Sequence, residues 1–292
     1  VDANGTLLPH FVIVSNLQVT DTANIQSGNE KVMNARLADA LFFFEQDKKV
    51  TLADRVATLD AITYQKDLGS TGNKVRRVEN LSAQLAEALG YNKTTTTRTA
   101  HLSKADLVSG MVGEFPELQG IMGEYYALHD NEDKAVSQAI RESYLPRFAG
   151  DVLPETPEGI AVSLADKIDT LTGIFGINQK PTGSKDPFAL RRAAIGVVRL
   201  LIEKQLPLGL TELFEKSAAL FTGLPNKDVV ANVVSFVLER LKVHCQNESI
   251  SSEMLDAVLS LGCDTPFDIS LRLQALGHLK DYTESDAIIA AN

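Results

Sequence analysis

The chain has 292 residues, of which 44% are hydrophobic and 23% charged, and its formal net charge is −10 at pH 7. This composition indicates a globular protein with one large domain or two ordinary ones. The acidic balance argues against a broad positive coat that binds nucleic acid non-specifically, but it is compatible with a local basic patch.

Signals for membrane insertion or secretion are missing from the sequence. No window approaches the ~18 to 20 apolar residues of a membrane span, and no basic stretch followed by an apolar run marks a signal peptide. The two cysteines, Cys245 and Cys263, fall in a helical pattern and in a loop, which argues against a disulfide framework. We therefore expect a reducing, cytoplasmic compartment and no contact with a membrane.

The first segment of the chain predicts a β-strand. Residues Leu7 to Leu17 contain a β-branched run, Val12-Ile13-Val14, bounded by Pro9 and a polar Ser-Asn pair. A single strand is not stable alone, so its partners are expected upstream. The chain also begins without methionine, and we expect it to be a segment of a longer protein.

Beyond Ser27 the spacing of apolar residues becomes helical. A first helix is marked by Val32, Leu37, Leu41 and Phe44. Further helices are predicted over residues 52–68, 75–89, 160–175, 188–201, 210–221, 227–245, 251–261 and 266–280, and the pattern from 101 to 140 is helical with a break at Phe115-Pro116. The sequence therefore predicts a mainly α fold with a short β segment at its N-terminus.

The segment from Lys180 to Arg192 combines a glycine-containing loop with the start of a helix. Asp186 is a suitable N-cap, and Pro187 suits the first helical position because a missing N–H is harmless there. Cationic side chains cluster in this segment and on the helix that follows it: Lys180, Lys185, Arg191, Arg192 and Arg199. A helix N-terminus beside basic residues predicts a phosphate site, and the alternative is a well-capped helix with solvated arginines.

A metal site is a second hypothesis for this chain. Histidine and carboxylate ligands from separate helices can surround a divalent metal ion, and the candidates are His101, His129, Asp130 and Asp166. Their order along the chain resembles the arrangement that names the HD superfamily of phosphohydrolases. In the alternative interpretation His101 packs or caps, His129 and Asp130 lie in a polar turn, and Asp166 pairs with a cation.

Two aspartates three residues apart, Asp166 and Asp169, share one face of a predicted helix. We expect them to anchor arginines of the helix that follows Pro187. The sequence contains no phosphate-binding loop, paired CxxC motif or serine elbow, so no ATP site is predicted in it.

Several longer motifs are similar to the β subunit of the bacterial, heterotetrameric glycyl-tRNA synthetase. They span most of the chain: Ser27–Val32, Arg36–Ala40, Phe42–Phe44, Lys104–Leu107, Met111–Val112, Glu114–Gly120, Pro146–Asp151, Ala165–Leu171 and Gly183–Ala194. The last of these is the most specific.

This resemblance implies an HD-like helical domain in the middle of a long β subunit. It divides the chain into the end of an upstream β-containing domain (1–26), a helical linker (27–98), an HD-like core (99–206) and a helical region leading towards an anticodon-binding domain (207–292). The implied partners are the α subunit, tRNA(Gly) and the other domains of the same β chain. Glycine and ATP would react in the α subunit with Mg²⁺, so no catalytic residue and no cofactor are expected in this segment.

The resemblance also implies roles for individual cations. Lys185, Arg191, Arg192, Arg147 and Lys180 are predicted to contact tRNA phosphates or to join neighbouring domains. Because Arg191 and Arg192 point ~100° apart on a helix, one of them is expected in an internal salt bridge with an aspartate. Two alternatives stay open: a metal-dependent HD phosphohydrolase acting on a nucleotide or a nucleic-acid end, and an assembly module without RNA contacts.

Overall fold

The computed structural model describes residues 5–6, 8–16, 20–247 and 250–279, and within them the fold is mainly α, as predicted. The helices are α1 (Ala23–Asp47), α2 (Leu52–Arg55), α3 (Thr71–Leu89), α4 (Lys93–Leu102), α5 (Gly110–Glu114), α6 (Ile121–His129), α7 (Lys134–Glu142), α8 (Pro157–Gly176), α9 (Leu190–Glu203), α10 (Leu210–Ala218), α11 (Val229–Asn247), α12 (Ser252–Leu259) and α13 (Pro266–Leu279). Short 3₁₀ turns cover Val56–Ala61, Ala105–Val108 and Pro116–Leu118. Among the described helices, none is long and apolar enough to cross a lipid bilayer.

The β structure lies elsewhere than the sequence predicted. Residues 8–16 are not in a strand, and the ends of the predicted strand, Leu7 and Leu17, lie outside the described residues. A β-branched run forms a strand only where a second strand pairs with it, and the part of residues 5–16 that is described has no such neighbour. The sheet is instead an antiparallel pair of β1 (Thr63–Gln65) and β2 (Gly69–Ser70).

This hairpin interrupts the helix predicted over residues 52–68. The chain turns at Gly69, whose φ of +86° suits glycine. Ser70 then starts α3, because its hydroxyl accepts the N–H of Asn73 while the Asn73 side chain accepts the N–H of Ser70. The local capping signal thus decides where α3 begins.

The chain divides into two compact units, Val1–Phe43 and Phe44–Asn292. In the first unit α1 leaves Val32, Leu37, Leu41 and Phe42 exposed. In the second unit a single hydrophobic core extends from Leu68 to Leu273. The four regions predicted from the sequence stay a prediction.

Helix α8 is the centre of the second unit. Thr156 caps its first turn by accepting the N–H of Gly159 at 3.0 Å, and Pro157 occupies its first position. Nearly all of its residues are buried, and it contacts α3, α4, α7, α9, α10 and α11. A Cβ on Gly176 would lie 2.6 Å from Leu224 Cδ2, so the absence of a side chain allows this close approach. The sequence pattern had placed this helix at residues 160–175, close to its observed bounds.

Leu171 tests the importance of the packing around α8. The Leu171→Ala substitution empties a fully buried position and is expected to lower the free energy of unfolding by about 2–5 kcal/mol. The matched control, Leu261→Ala, removes a side chain that is 67% exposed and should change stability by less than about 0.5 kcal/mol. Urea unfolding followed by circular dichroism measures both, and equal effects would contradict this account of the core.

Candidate nucleic-acid interface

The residues predicted as metal ligands do not form a metal site. In the described part of the chain, no group of three or more His, Cys, Asp or Glu residues could hold a metal ion. Asp166 Oδ1 lies 3.2 Å from Lys74 Nζ, and its Oδ2 lies 3.6 Å from Lys104 Nζ. Two ammonium groups therefore approach this carboxylate where a metal ion would have to bind, and the residues present do not fit a divalent metal.

The other three predicted ligands, His101, His129 and Asp130, lie in separate local environments. Asp130 accepts the backbone N–H of Leu52 at 2.7 Å and so caps the start of α2. His101 Nδ1 lies 3.2 Å from Glu79 Oε2, and His129 is exposed. These contacts match the alternative interpretation, in which the residues cap, pair or lie in a polar turn.

Asp169 is a buried carboxylate on α8, and its predicted partners were wrong. It binds α3 rather than α9: Arg77 Nε donates to Oδ1 at 2.7 Å, and Lys74 Nζ donates to Oδ2 at 3.1 Å. The guanidinium of Arg77 also stacks on the ring of Phe221, with its Cζ atom 4.1 Å from the ring centroid. Lys74 and Arg77 are three residues apart on α3, and the two aspartates are three residues apart on α8. The basic side chains on one face of α3 therefore bind the acidic side chains on one face of α8.

We call one group of charged residues the buried ion cluster: Lys74, Arg77, Lys104, Asp166 and Asp169. The charges within this cluster shift the pKa values of its own members. Burial alone would raise the pKa of Asp166, but the ammonium groups of Lys104 and Lys74 hold that pKa far below its ordinary value. Burial would likewise lower the pKa of Lys74, and Asp166 raises it well above the ordinary value. Both groups are therefore charged near neutral pH and bind each other as ions.

Lys167 follows Asp166 on α8 but binds the loop of residues 144–151 instead of α3. Its Nζ donates to the carbonyl of Leu145 at 2.8 Å and lies 2.9 Å from the hydroxyl of Ser163. Burial lowers the pKa of Lys167 to about 7, and although Asp166 opposes this shift, Lys104 reinforces it. This lysine therefore changes its charge near neutral pH while it supports the loop that contains Leu145.

The loop of residues 144–151 holds Arg147, one of the predicted phosphate contacts. Arg147 donates to Asp151 from its side chain, with Nε 2.8 Å from Oδ2, and from its backbone N–H at 2.9 Å. This pairing lowers the pKa of Asp151 to about 2. The Arg147 side chain is nevertheless 59% exposed, so one edge of its guanidinium faces Asp151 while the rest remains accessible.

Three of the predicted cations in the segment 180–192 are exposed. Lys180, Lys185 and Arg192, which we call the basic surface, form no ion pair with any carboxylate among the described residues. Arg191 differs, because its Nη2 donates to the carbonyl of Gly183 at 2.6 Å and thereby ties the loop to α9. The expected salt bridge between Arg191 or Arg192 and an aspartate is not formed with any aspartate that the structure describes.

The N-terminus of α9 is not the phosphate site that the sequence suggested. The helix begins at Leu190, later than predicted, because Ala189 has a positive φ of 54°. The carboxylate of Asp186 accepts the backbone N–H of Leu190 at 2.8 Å and that of Arg191 at 3.0 Å. Since these donors already bind a carboxylate, an anion at this position would have to displace it.

Sequence reasoning missed the cations of the buried ion cluster. Lys74 and Lys104 are almost fully buried, and Arg77 is 11% exposed, yet the sequence pattern alone gave them no role. A signal was present: Lys74 and Arg77 alternate with Val75 and Val78, which belong to the buried face of the same helix. Basic residues placed within an apolar face indicate that buried carboxylates lie opposite.

Comparisons with known proteins agree with the resemblance seen in the sequence. The family model described as glycyl-tRNA synthetase beta subunit matches residues 1–260. Proteins named glycine–tRNA ligase beta subunit are similar along the full chain: those of Haemophilus influenzae (strain PittEE) and Aeromonas salmonicida are each 48% identical, and that of Mannheimia succiniciproducens is 47% identical. The chain spans 42% of the length of each of these relatives. It belongs to the glycyl-tRNA synthetase beta subunit family.

The lowered pKa of Lys167 predicts a pH-dependent stability. Below pH 7 both the folded and the unfolded chain bind this proton, and from pH 7 to about 10 only the unfolded chain keeps it. The folded chain should therefore gain stability with rising pH, by at most about 1.4 kcal/mol per pH unit, relative to a Lys167→Met variant.

Urea unfolding of both proteins at pH 6, 7, 8 and 9 tests this dependence. The control Lys66→Met removes an exposed lysine, and its difference from the parent chain should not change with pH. A difference for Lys167→Met that is also constant over this range would show that Lys167 stays protonated in the folded chain.

Proposed function

We propose that this chain is a tRNA-recognition and scaffold segment of the β subunit of a heterotetrameric glycyl-tRNA synthetase. The assembly would attach glycine to tRNA(Gly) with ATP, in the cytoplasm, through chemistry in its α subunit. The names of the relatives support the assembly, since they are glycine–tRNA ligase beta subunits. The observation that carries the RNA-binding role is the basic surface, with exposed cations that no described carboxylate neutralises.

The basic surface is suited to an RNA backbone for electrostatic reasons. The chain has a net charge of −10, and the basic surface places three exposed cations without described carboxylate partners within residues 180–192. RNA helices are recognised mainly by shape, phosphates and 2′-hydroxyl groups, and a few positioned cations contribute to such contacts. Because Asp186 occupies the α9 N-terminus, side chains rather than backbone N–H groups would bind the phosphates.

The buried ionisable groups fit a scaffold better than a reaction centre. Asp166 and Asp169 bind cations of α3, and burial and pairing keep both carboxylates away from a substrate. We assign no catalytic residue and no cofactor to this segment. ATP and Mg²⁺ would bind the α subunit, and the α subunit and the other domains of the β chain would be the protein partners.

The HD phosphohydrolase hypothesis has no observation in its favour. It requires His101, His129, Asp130 and Asp166 to surround a divalent metal, whereas His101, Asp130 and Asp166 have other contacts and His129 is exposed. We do not propose it.

Charge reversal of the basic surface tests the proposal. The triple variant Lys180→Glu, Lys185→Glu and Arg192→Glu should bind tRNA(Gly) at least about 10-fold more weakly, because each lost phosphate contact removes a released counterion. The slope of log K against log salt should become shallower by about 2 to 3. Fluorescence anisotropy of labelled tRNA at 50 to 200 mM salt, with the complete β chain assembled with its α subunit, measures both quantities.

A matched control separates a local effect from a change in net charge. Lys49→Glu, Lys66→Glu and Lys134→Glu together introduce the same charge change at exposed lysines in other elements. This control should bind nearly as tightly as the parent protein. If the two triple variants lose affinity equally, the basic surface has no specific role in RNA binding.

A further inference from the structure

Phe148 is an exposed aromatic residue in the loop of residues 144–151. Its side chain is 54% exposed, and it makes no ring contact with a described residue. Its neighbours Arg147 and Val152 are also exposed. A single exposed aromatic side chain is common in proteins, so further observations are needed before it indicates binding.

Side chains of α8 and α9 donate hydrogen bonds to the backbone on both sides of Phe148. On one side of it, Lys167 Nζ and Ser163 Oγ both donate to the carbonyl of Leu145. On the other side, Arg199 Nη1 donates to the carbonyls of Ala149 at 2.8 Å and Asp151 at 2.7 Å. The loop is thus fixed by its carbonyls, and the Phe148 ring is presented without being part of the core. Such pre-organisation lowers the entropic cost of binding at this ring.

Arg147 belongs to this loop, and Arg192 lies on α9, the helix that packs against it. Arg147 uses Nε and Nη2 to bind Asp151, while its Nη1 has no hydrogen-bond partner among the described residues. Arg192 lies one turn before Gly196 on α9, and a Cβ on Gly196 would be 3.5 Å from Pro146 Cγ. The side of α9 that carries Arg192 is therefore the side against which the loop packs.

We propose that Phe148 is a stacking platform for an unpaired base of the bound RNA, with Arg147 and Arg192 binding the adjoining phosphates. This inference rests on the proposed RNA-binding function and names the part of the RNA that the loop recognises. Aromatic side chains beside cations bind single-stranded nucleic acid in this way, because every base has a π-face on which a ring can stack.

A protein partner is a weaker interpretation of the same surface. The large hydrophobic side chains exposed here are Phe148 in the loop and Val152 directly after it, which is far less apolar area than a stable protein interface buries. The guanidinium groups of Arg147 and Arg192 would also need carboxylates or phosphates opposite them, and RNA supplies phosphates on both sides of every base.

Tryptophan fluorescence gives a direct test, because the chain contains no tryptophan. The Phe148→Trp variant of the 292-residue chain has one indole ring, at the proposed stacking position. Its emission should be quenched at least about twofold by a tRNA(Gly) transcript, which has unpaired nucleotides, and should change little with a blunt RNA duplex. Quenching by the duplex to the same extent, or no quenching by bound tRNA, would overturn the proposal.

The tRNA affinities of Phe148 variants show whether an aromatic ring, rather than any apolar side chain, is needed at this position. Phe148→Ala and Phe148→Leu should both weaken tRNA binding roughly 5- to 100-fold, whereas Phe148→Trp should retain it. The control Leu261→Ala removes another exposed apolar side chain elsewhere and should have no effect.

The failures of the two proposals are distinguishable. If the complete β chain assembled with its α subunit does not bind tRNA, the RNA-binding function and the stacking platform both fail. If that assembly binds tRNA and its charge-reversal triple variant does not, but its Phe148→Ala variant binds normally, only the platform is wrong. Loss of α-subunit assembly in Phe148→Ala with unchanged RNA affinity would make the loop a protein-docking surface, and that outcome also overturns the proposal.

Discussion

The buried ion cluster is the interaction on which the second unit depends. Asp166 and Asp169 of α8 bind Lys74 and Arg77 of α3, and Lys104 approaches Asp166 from the segment after α4. Once these charges are removed from water, each needs its partner, and breaking such a pair is destabilising by about 3–5 kcal/mol. The cluster therefore fixes how α3 lies on α8, the helix around which the other elements pack.

The same helix connects the interior to the candidate RNA-binding surface. Lys167 follows Asp166 directly and reaches the carbonyl of Leu145, so the loop of residues 144–151 is anchored to the centre of the fold. Arg199 of α9 holds the other end of that loop. Buried cations thus serve as structural supports, and exposed cations remain available for a partner. In a chain with a net charge of −10, the exposed cations include those for which we propose contacts with RNA.

The sequence predicted single elements better than the contacts between them. The helix predicted over residues 160–175 falls within the observed bounds of α8, because its apolar residues follow a regular helical pattern. The partners of Asp169 were predicted on the wrong helix, since periodicity tells which face of a helix is buried but not which helix covers it. The strand predicted over residues 7–17 was wrong for residues 8–16, because strand formation depends on pairing that local sequence does not encode. The family resemblance, which uses long motifs, was confirmed by the comparisons.

A double-mutant cycle between Arg77 and Asp169 tests most directly whether the carboxylates of α8 are structural ion-pair partners. The free energy of unfolding in urea would be measured for the parent chain, Arg77→Met, Asp169→Asn and the double variant. We expect each single substitution to lower that free energy by about 3–5 kcal/mol, and the double variant to lose less than the sum by at least about 1 kcal/mol. Purely additive losses, or single losses below about 1 kcal/mol, would contradict the role assigned to the buried ion cluster.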